Sequence, residues 1–382
     1  MTGRSRRGQG EGSIYRRASD GRWVGMLDLG WHGGKRRRRP VYGRTRSEVA
    51  EKLAALRRSQ ERGLDLLAPP RTVTAWLDEW LAELKPHDAV RPTTLARYRS
   101  VVDTHLKPGL GRRRLDQLAP RDVQRLLADL STRVAPGTVA KIHAVLRVAL
   151  SDAERMDLVE RNVAKAVRPP SVPQVERRVL SVQEAQHLLR LVEGDRLEAF
   201  FVVALTLGLR RGEVLGLKWS DVDAVTRSLR VARALQRSGG ELRVVEPKTA
   251  RSRRLLPLPA MTLSALERQR AHQAVDQLKT GPGWQDLDFV FTTGIGTPLE
   301  PRNVNRRFYE LRAQAGLDWL RLHDLRHGCA TFLLAHGVEP RTVMEVLGHS
   351  TYRLTMDLYG HALPERMRSA ADVMDQAMRR PS

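Results

Sequence analysis

The chain has 382 residues, a length that predicts two or three domains, and its 41% hydrophobic and 29% charged residues argue against wholesale disorder. The formal net charge is +23, from 66 lysines and arginines against 43 acidic residues. Such an excess repels itself unless a polyanion neutralises it, so we expect a nucleic acid partner, with an anionic membrane surface as the alternative. The longest uncharged apolar run, residues 199–209, is shorter than the roughly 20 residues that cross a bilayer. The single cysteine, Cys329, excludes an internal disulfide and a multi-cysteine zinc site.

The N-terminal region is strongly basic, with thirteen lysines and arginines against four acidic residues in residues 1–48. Strand-like segments separated by turn residues, followed by a capping box at Thr45 and Glu48, predict a three-stranded sheet backed by one helix over residues 10–63. A basic face on such a sheet suits entry into a DNA groove, whereas the plain alternative is a solvated, disordered tail. The predicted strands cover residues 13–17, 22–29 and 36–42. The candidate DNA-binding residues are Lys35, Arg36, Arg37, Arg38 and Arg39.

Residues 72–165 carry apolar residues at helical spacing, which predicts an all-helical region. Pro120 fits the first turn of one of these helices. Trp76 and Trp80 fall on the apolar stripe, so we interpret them as core residues rather than as base-stacking residues. Three prolines between residues 169 and 173 exclude a continuous helix and predict a linker.

The remainder of the chain has a mixed pattern that opens with a second capping box at Ser181 and Glu184. We predict strands at 228–235 and 241–245, paired as a hairpin, a third strand at 254–258, and helices from residue 303 nearly to the end. The predicted fold class is multidomain α+β. It comprises a small three-stranded sheet plus a helix, a helical bundle, and a mixed, mainly helical domain with a small antiparallel sheet. The predicted boundaries are 1–65, 66–168, a linker at 169–178, and 179–382.

Two motifs in the last 175 residues carry candidate catalytic cations. The segment TLGLRRGEVLGLKWSDVD puts Arg210 three residues before Glu213, so one helical turn brings the carboxylate to the guanidinium. The plain alternative is a surface ion pair of little energetic value. Further along, Lys248 falls on a tight turn between two predicted strands. Most such lysines are ordinary surface residues in contact with solvent. A lysine that the turn places in an active site can instead act as a general acid, because burial near other cations lowers its pKa.

The segment HDLRHGCATFLLAHGV carries His323 and Arg326 on one face of a predicted helix, a proton donor beside a bidentate phosphate clamp. The competing interpretation is a metal site formed by His323, His327 and His349. The segment lacks the glutamate expected after the first histidine, and a cation inside the site repels a metal ion. We therefore predict no metal there.

Tyr359 follows His349 by ten residues, in the segment VLGHSTYRLTMDLYGH. A phenol, with an ordinary pKa of about 10, is a poor nucleophile at neutral pH unless cations stabilise the phenolate. Two arginines beside it would also neutralise phosphate oxygens, so the motifs together predict a phosphoryl-transfer site. In that site the tyrosine attacks and remains bound, while a lysine and a histidine protonate the departing oxygen. The phosphotyrosyl bond keeps the energy of the broken ester, so neither ATP nor a metal is needed.

The three motifs, in this order, are similar to those of the tyrosine recombinase (phage integrase) family. The resemblance covers most of the chain and implies a site-specific DNA recombinase of a phage or integrative element, which acts through a 3′-phosphotyrosine and a Holliday junction. It also implies that residues 10–63 bind arm DNA and residues 72–165 bind core DNA. The catalytic set that it implies is Arg210, Lys248, His323, Arg326, His349 and the nucleophile Tyr359, supported by Glu213.

The resemblance implies partners as well. These are double-stranded DNA with core and arm attachment sites, a homotetramer on that DNA, a DNA-bending host factor and an excision directionality factor. We expect no cofactor and no membrane, and a place beside the nucleoid in the bacterial cytoplasm. Three alternatives stay open: a type IB topoisomerase, a DNA-binding regulator with relic catalytic residues, and a metal-dependent phosphodiesterase. The arm-type region argues against the first, and the filled catalytic positions argue against the second.

Overall fold

The computed structural model describes residues 13–32, 34–61, 71–84, 90–173, 178–238, 240–246 and 253–348. The chain divides into two compact units, Met1–Gln174 and Val175–Ser382, and each is described below by itself. The boundary between them falls inside the segment 169–178, where the prolines predict a linker. The further division of the first unit near residue 65 stays a prediction.

The first unit begins with a three-stranded antiparallel sheet and one helix. The sheet order is β1-β2-β3, and α1 packs Val49 and Leu53 against Leu27 of β2 to form a small core. Thr45 accepts the backbone N–H of Glu48 at 3.2 Å, as expected where a capping residue opens a helix. The predicted sheet and helix are therefore confirmed. The elements are β1 Ile14–Arg16, β2 Trp23–His32, β3 Lys35–Gly43 and α1 Arg46–Glu61.

The rest of the first unit is helical, as predicted. Its core contains Trp76 and Trp80, which are 0% and 1% exposed, so these tryptophans are core residues. Their indole N–H groups donate to the backbone oxygen of Ala149 at 3.0 Å and to the carboxylate of Asp152 at 2.6 Å, which satisfies both buried donors. The helices are α2 Val73–Glu83, α3 Pro92–Val101, a π-helical turn Val102–Leu106, α4 Lys107–Leu110, α5 Pro120–Ser131 and α6 Pro136–Arg155.

The second unit packs helices around the apolar helix α8, whose Phe200 and Phe201 are almost completely buried. Two small antiparallel sheets lie along the chain between α9 and α10, one of order β4-β5-β8 and one formed by β6 and β7. The helices are α7 Val182–Leu191, α8 Glu198–Thr206, α9 Arg211–Leu215, α10 Ala260–Thr280, α11 Pro301–Gln314, α12 Asp324–Ala335 and α13 Pro340–Leu347. The strands are β4 Val222–Asp223, β5 Ser228–Val231, β6 Ala234–Ser238, β7 Glu241–Val245 and β8 Arg254–Pro257.

The predicted strand at 228–235 is wrong in one respect, because it is two strands in two sheets. β5 pairs with β4 and β8, whereas β6 forms the hairpin with β7. The chain changes sheets at Arg233, whose guanidinium bonds to the buried carboxylate of Asp221. A Cβ on Gly216 would lie 3.0 to 3.1 Å from the backbone of residues 233–235, so only a glycine lets the chain cross there so closely.

Because residues 228–235 form two strands in two sheets, the strands on either side of the predicted lysine turn do not pair with each other. The strands that flank Lys248 are β7 and β8, and they pair with β6 and β5 rather than with each other. The segment with Lys248 therefore connects two sheets instead of closing one hairpin. Lys248 itself lies outside the described residues.

Helix α10 is an element that the sequence patterns do not predict. It is 21 residues long, but its buried residues are Thr262, Ala265, Leu266 and Gln269, all in its first half. Two of these four are polar, so the apolar stripe that normally identifies a helix is too weak to detect. The predicted helices after residue 303 are present as α11, α12 and α13 as far as residue 348.

Candidate active site

Arg210 stands at the turn that links the buried helix α8 to α9. Gly208 lies in that turn with φ +59°, a conformation that favours glycine, and a Cβ there would meet Leu347 at 2.4 Å and Cys329 at 3.1 Å. The glycine therefore lets the turn approach α12 and α13 closely. Arg210 follows with extended backbone as the N-cap residue of α9.

Glu213 holds Arg210 in place. Its Oε1 accepts a hydrogen bond from Nη1 of Arg210 at 2.6 Å, and its Oε2 accepts one from the backbone N–H of Arg210 at 3.1 Å. The Glu213 side chain is 6% exposed, whereas that of Arg210 is 41% exposed. The pair is therefore not the plain surface ion pair that the sequence left open, because its acidic member is buried and its cation reaches solvent.

Arg254, at the start of β8, is a second cation on Glu213 that the sequence analysis missed. Its Nη2 lies 3.0 Å from Oε2 of Glu213, and its side chain is 7% exposed. Burial works to raise the pKa of Glu213, but the charges of Arg254 and Arg210 outweigh it and lower that pKa. Glu213 is therefore a carboxylate at neutral pH. Strand alternation could have found Arg254, because it places Arg254 on the same face as the buried Leu256.

Arg326 lies in the first turn of α12 and is 3% exposed. Its Nη1 donates to the carbonyl oxygen of Gly208 at 2.6 Å and its Nη2 to that of Leu347 at 2.7 Å. Burial, and then the positive charge of Arg210, lower the pKa of Arg326 to about 9. The guanidinium therefore remains charged at neutral pH, beside the charge of Arg210.

His323 is the N-cap residue of the same helix, so α12 brings His323 and Arg326 together as the i,i+3 spacing predicts. Its ring lies 4.9 Å from the ring of His327, in an edge-to-face arrangement. Burial, and then the charges of His327 and Arg326, lower the pKa of His323 to about 4. His323 is therefore neutral at pH 7, and a neutral imidazole both donates and accepts a hydrogen bond.

The end of α13 reaches the same place. Gly348 closes α13 with φ +65°, and Nη2 of Arg210 donates to its carbonyl oxygen at 3.3 Å. Arg210 and Arg326 thus both hydrogen-bond to backbone carbonyls in the two residues before His349. His349 and Tyr359 lie outside the described residues.

The basic run in the N-terminal sheet is ordered in β3, so it is not a disordered tail. Asp28 of β2 forms an ion pair with Arg36 and stands opposite Arg38. Leu27, which packs against α1, stands opposite Arg39. Because neighbouring residues in a strand point to opposite faces, Arg38 lies on the face away from α1 and Arg37 on the face towards it. The predicted patch Lys35, Arg36, Arg37, Arg38 and Arg39 is therefore divided between two faces.

The described part of the chain bears on two alternatives, a metal site and a membrane partner. Within it, we find no group of three histidine, cysteine, aspartate or glutamate residues that could hold a metal ion. His349, the third ligand of the alternative metal site, lies outside that part. Among the described helices, we find none that is long and apolar enough to span a membrane.

Comparison with known proteins identifies the family. Residues 178–366 match the phage integrase family, and residues 72–131 match the N-terminal SAM-like domain of phage integrases. The chain belongs to the phage integrase family. The first match contains every motif from Arg210 to Tyr359, and the chain is accordingly a tyrosine-type site-specific recombinase, an enzyme of DNA recombination and integration.

Relatives of this integrase match it along nearly their full length. It is 28% identical to an integrase of Saccharopolyspora erythraea over 97% of each chain, and 29% identical to an integrase of Streptomyces ambofaciens over 98% of each chain. It is also 27% identical to a XerC-like tyrosine recombinase of Caldanaerobacter subterraneus, over 90% of this chain and 92% of the relative.

Solved structures of integrases share the fold. A Tn1549 transposon integrase in complex with a circular intermediate DNA has a TM-score of 0.68 at 20% identity, over 80% of this chain and 99% of that chain. A lambda integrase tetramer bound to a Holliday junction has a TM-score of 0.58 at 18% identity, over 92% of this chain and 96% of that chain. The predicted fold class is confirmed by these likenesses.

Proposed function

We propose that this integrase breaks and rejoins DNA with Tyr359 as the nucleophile and with Arg210 and Arg326 as the clamp on the scissile phosphate. The observation that carries the proposal is the pair of arginines itself. Arg210 is fixed by Glu213, Arg326 is fixed by two carbonyl oxygens, and the charge of Arg210 lowers the pKa of Arg326. Two guanidiniums that repel each other in this way favour an anion between them, and the phosphate diester of DNA is such an anion.

The chemistry that we propose is a balanced exchange of esters. The phenolate oxygen of Tyr359 attacks phosphorus, a 3′-phosphotyrosine forms, and the bond to the 5′-oxygen breaks. A proton from Lys248 or from a histidine then converts the departing oxygen to a hydroxyl group. Attack by the 5′-hydroxyl of the other strand reverses these steps and releases the tyrosine. Because the number of phosphate esters never changes, this cycle consumes neither ATP nor a metal-bound water.

His323 has a defined part in this scheme. It is neutral in the DNA-free protein, because burial, and then the electrostatic effects of His327 and Arg326, lower its pKa to about 4. A phosphate beside Arg326 adds negative charge, which raises the pKa of a nearby imidazole. We infer that His323 donates a hydrogen bond to a phosphate oxygen, and that DNA binding makes it a stronger base.

The proposed DNA partners are core and arm attachment sites. For the core sites, the likeness to DNA-bound integrases and the SAM-like match at residues 72–131 support binding by the helical region. For the arm sites, support comes from the face of the first sheet away from α1, where Arg38 lies between the ion pair of Asp28 and the exposed Tyr42. Sheets with such faces enter DNA grooves as ribbons.

We propose a homotetramer on two DNA duplexes, with a Holliday junction between the two strand exchanges. The support is the likeness to the lambda integrase tetramer bound to a Holliday junction. A DNA-bending host factor, an excision directionality factor and a bacterial cytoplasmic location remain predictions from the family resemblance.

The experiment that tests this function is recombination between two synthetic duplexes that carry the end sequences of the mobile element. The purified protein is mixed with both duplexes in EDTA, without ATP, and products are separated on a gel. We expect recombinant duplexes whose junctions fall at one position in each site. Relaxation of supercoiled DNA at many positions, without recombinants, would instead indicate a type IB topoisomerase. Binding without any cleavage would indicate a regulator.

A further inference from the structure

Arg254 is a buried arginine to which the proposed mechanism gives no part. It opens β8, six residues after Lys248, and only 7% of its side chain is exposed. Taking a guanidinium out of water is costly unless its charge is paired and its donors are bonded. Burial accordingly lowers the pKa of Arg254, against the opposing effect of Glu213.

The contacts of Arg254 connect three segments of the site. Its Nη2 donates to Oε2 of Glu213 at 3.0 Å, and its Nε donates to the carbonyl oxygen of Val346 at 2.7 Å. A Cβ on Gly348 would lie 2.9 Å from Nη1, so the guanidinium also packs directly against the residue before His349. One planar group therefore bonds to the first turn of α9 and to the last turn of α13.

Glu213 divides its two oxygens between the two arginines. Oε1 accepts Nη1 of Arg210, while Oε2 accepts both Nη2 of Arg254 and the backbone N–H of Arg210. The position of the carboxylate thus depends on Arg254 as much as on Arg210. The Arg210 side chain is 41% exposed, and its bond to the carboxylate, at 2.6 Å, is shorter than its 3.3 Å bond to the carbonyl oxygen of Gly348, so Glu213 is its stronger anchor.

We propose that Arg254 is a positioning residue for strand cleavage. It holds Glu213, and through it the guanidinium of Arg210, while its bond to Val346 sets the backbone that leads into His349. This inference rests on the proposed roles of Arg210 and His349.

The test compares four variants with the wild-type protein in single-turnover cleavage of nicked attachment-site DNA. The variants are Arg254→Gln, Arg254→Lys, Glu213→Gln and the double change Arg254→Gln with Glu213→Gln. The matched control is Arg243→Gln, which removes an exposed arginine that pairs with Glu241 at 3.0 Å on the nearby strand β7. Melting temperature and DNA affinity are measured for every variant.

We expect Arg254→Gln to slow cleavage between about ten- and a hundredfold, since a small misplacement of a catalytic group costs this much. DNA affinity should change less than about twofold, since the phosphate contacts themselves remain. The double variant should be little slower than the slower single variant, because both changes release the same guanidinium of Arg210. Arg254→Lys should fold and recover part of the rate, since it keeps a cation near Glu213 but loses the forked geometry.

The pH profile of cleavage gives a readout that a purely structural role would not change. The charged groups that act on Glu213 are Arg210 at the head of its own helix, Arg254 on β8 and Arg326 on α12. Removing Arg254 takes away one positive charge that lowers the pKa of Glu213, so the carboxylate protonates at a higher pH. The acid limb of the profile should therefore move to higher pH in Arg254→Gln and stay in place in Arg243→Gln.

If the wild-type protein cleaves the DNA, any one of three results would overturn the inference. Arg254→Gln could cleave at the rate of the Arg243→Gln control. The double variant could lose the product of the two single losses. Arg254→Lys could lose DNA affinity and melting temperature in proportion to rate, at every pH, which would show a role in folding alone. A wild-type protein that binds this DNA and never cleaves it would instead contradict the proposed function.

Discussion

Three arginines of the second unit concentrate positive charge around one carboxylate. Arg210 and Arg254 both hydrogen-bond to Glu213, and Arg326 is charged nearby with its pKa lowered to about 9 by burial and by Arg210. Three guanidiniums against one carboxylate leave an excess that water cannot screen well in a buried site. In the proposed function, a DNA phosphate bound beside Arg210 and Arg326 relieves that excess.

His323 gives a prediction about stability and pH. Its pKa is about 4 in the folded, DNA-free protein, against an ordinary value of 6.5. Between these two values the unfolded chain binds a proton at this histidine and the folded chain does not, so stability falls as the pH drops through this range. We expect His323→Gln to lose less melting temperature than the wild-type protein between pH 7 and pH 5.

The matched control for this prediction is His336→Gln, an exposed histidine at the end of α12. Differential scanning calorimetry of all three proteins at pH 7 and pH 5 provides the measurement. An equal loss of melting temperature in wild-type protein and His323→Gln would show that His323 takes up its proton in the folded state.

The sequence predicts local partners in this site better than distant ones. Arg210 and Glu213 are three residues apart, so helical spacing alone brings them together. Arg254 finds Glu213 across 41 residues and Val346 across 92 residues. No local pattern encodes such pairs, because they depend on how α9, β8 and α13 pack. The order of the motifs predicts a catalytic set, whereas only packing shows what holds Arg210 and Arg326 in place.

At the scale of elements, strand alternation decides which N-terminal arginines can act together. Arg38 shares the face away from α1 with Asp28 and Tyr42, whereas Arg37 lies on the other face. The sequence shows five consecutive cations and cannot separate them until the register is known. The same limit explains the predicted strand at 228–235, because the crossing at Gly216 that divides it depends on tertiary packing.

Arg38→Ala and Arg37→Ala form a matched pair for arm-site binding, since each removes one exposed arginine from β3. We expect Arg38→Ala to weaken arm-site binding several-fold and to reduce the slope of log affinity against log salt by about one. Arg37→Ala should change both quantities much less. Fluorescence anisotropy over a series of salt concentrations measures them. Equal effects of the two substitutions would show that the face away from α1 is not the DNA-binding face.

At the scale of the whole molecule, the net charge of +23 and the two compact units fit an enzyme that holds DNA at more than one place. The N-terminal sheet and helix have a small core of their own, in Leu27, Val49 and Leu53. If this region binds arm sites, it serves the assembly of recombining DNA and has no part in breaking a strand.

Deletion of residues 1–63 therefore should impair recombination between complete attachment sites far more than cleavage of a nicked core site. We expect at least a tenfold difference between the two losses, because arm contacts add affinity through linked binding while the catalytic residues remain. Both reactions can be followed with one labelled core duplex, with and without arm sequences. Equal losses in both would contradict the arm-site assignment.

The central claim is that Tyr359 forms a covalent bond to the phosphorus of the scissile phosphate, while Arg210 and Arg326 hold the oxygens of that phosphate. The most direct measurement mixes nicked attachment-site DNA, in EDTA, with wild-type protein or Tyr359→Phe, followed by denaturing gels and mass spectrometry of the adduct peptide. We predict a 3′-phosphotyrosyl adduct on the peptide that contains Tyr359, and no adduct from a Tyr359→Phe protein that still binds the DNA. An adduct on another residue, or an equal adduct from both proteins, would contradict the claim.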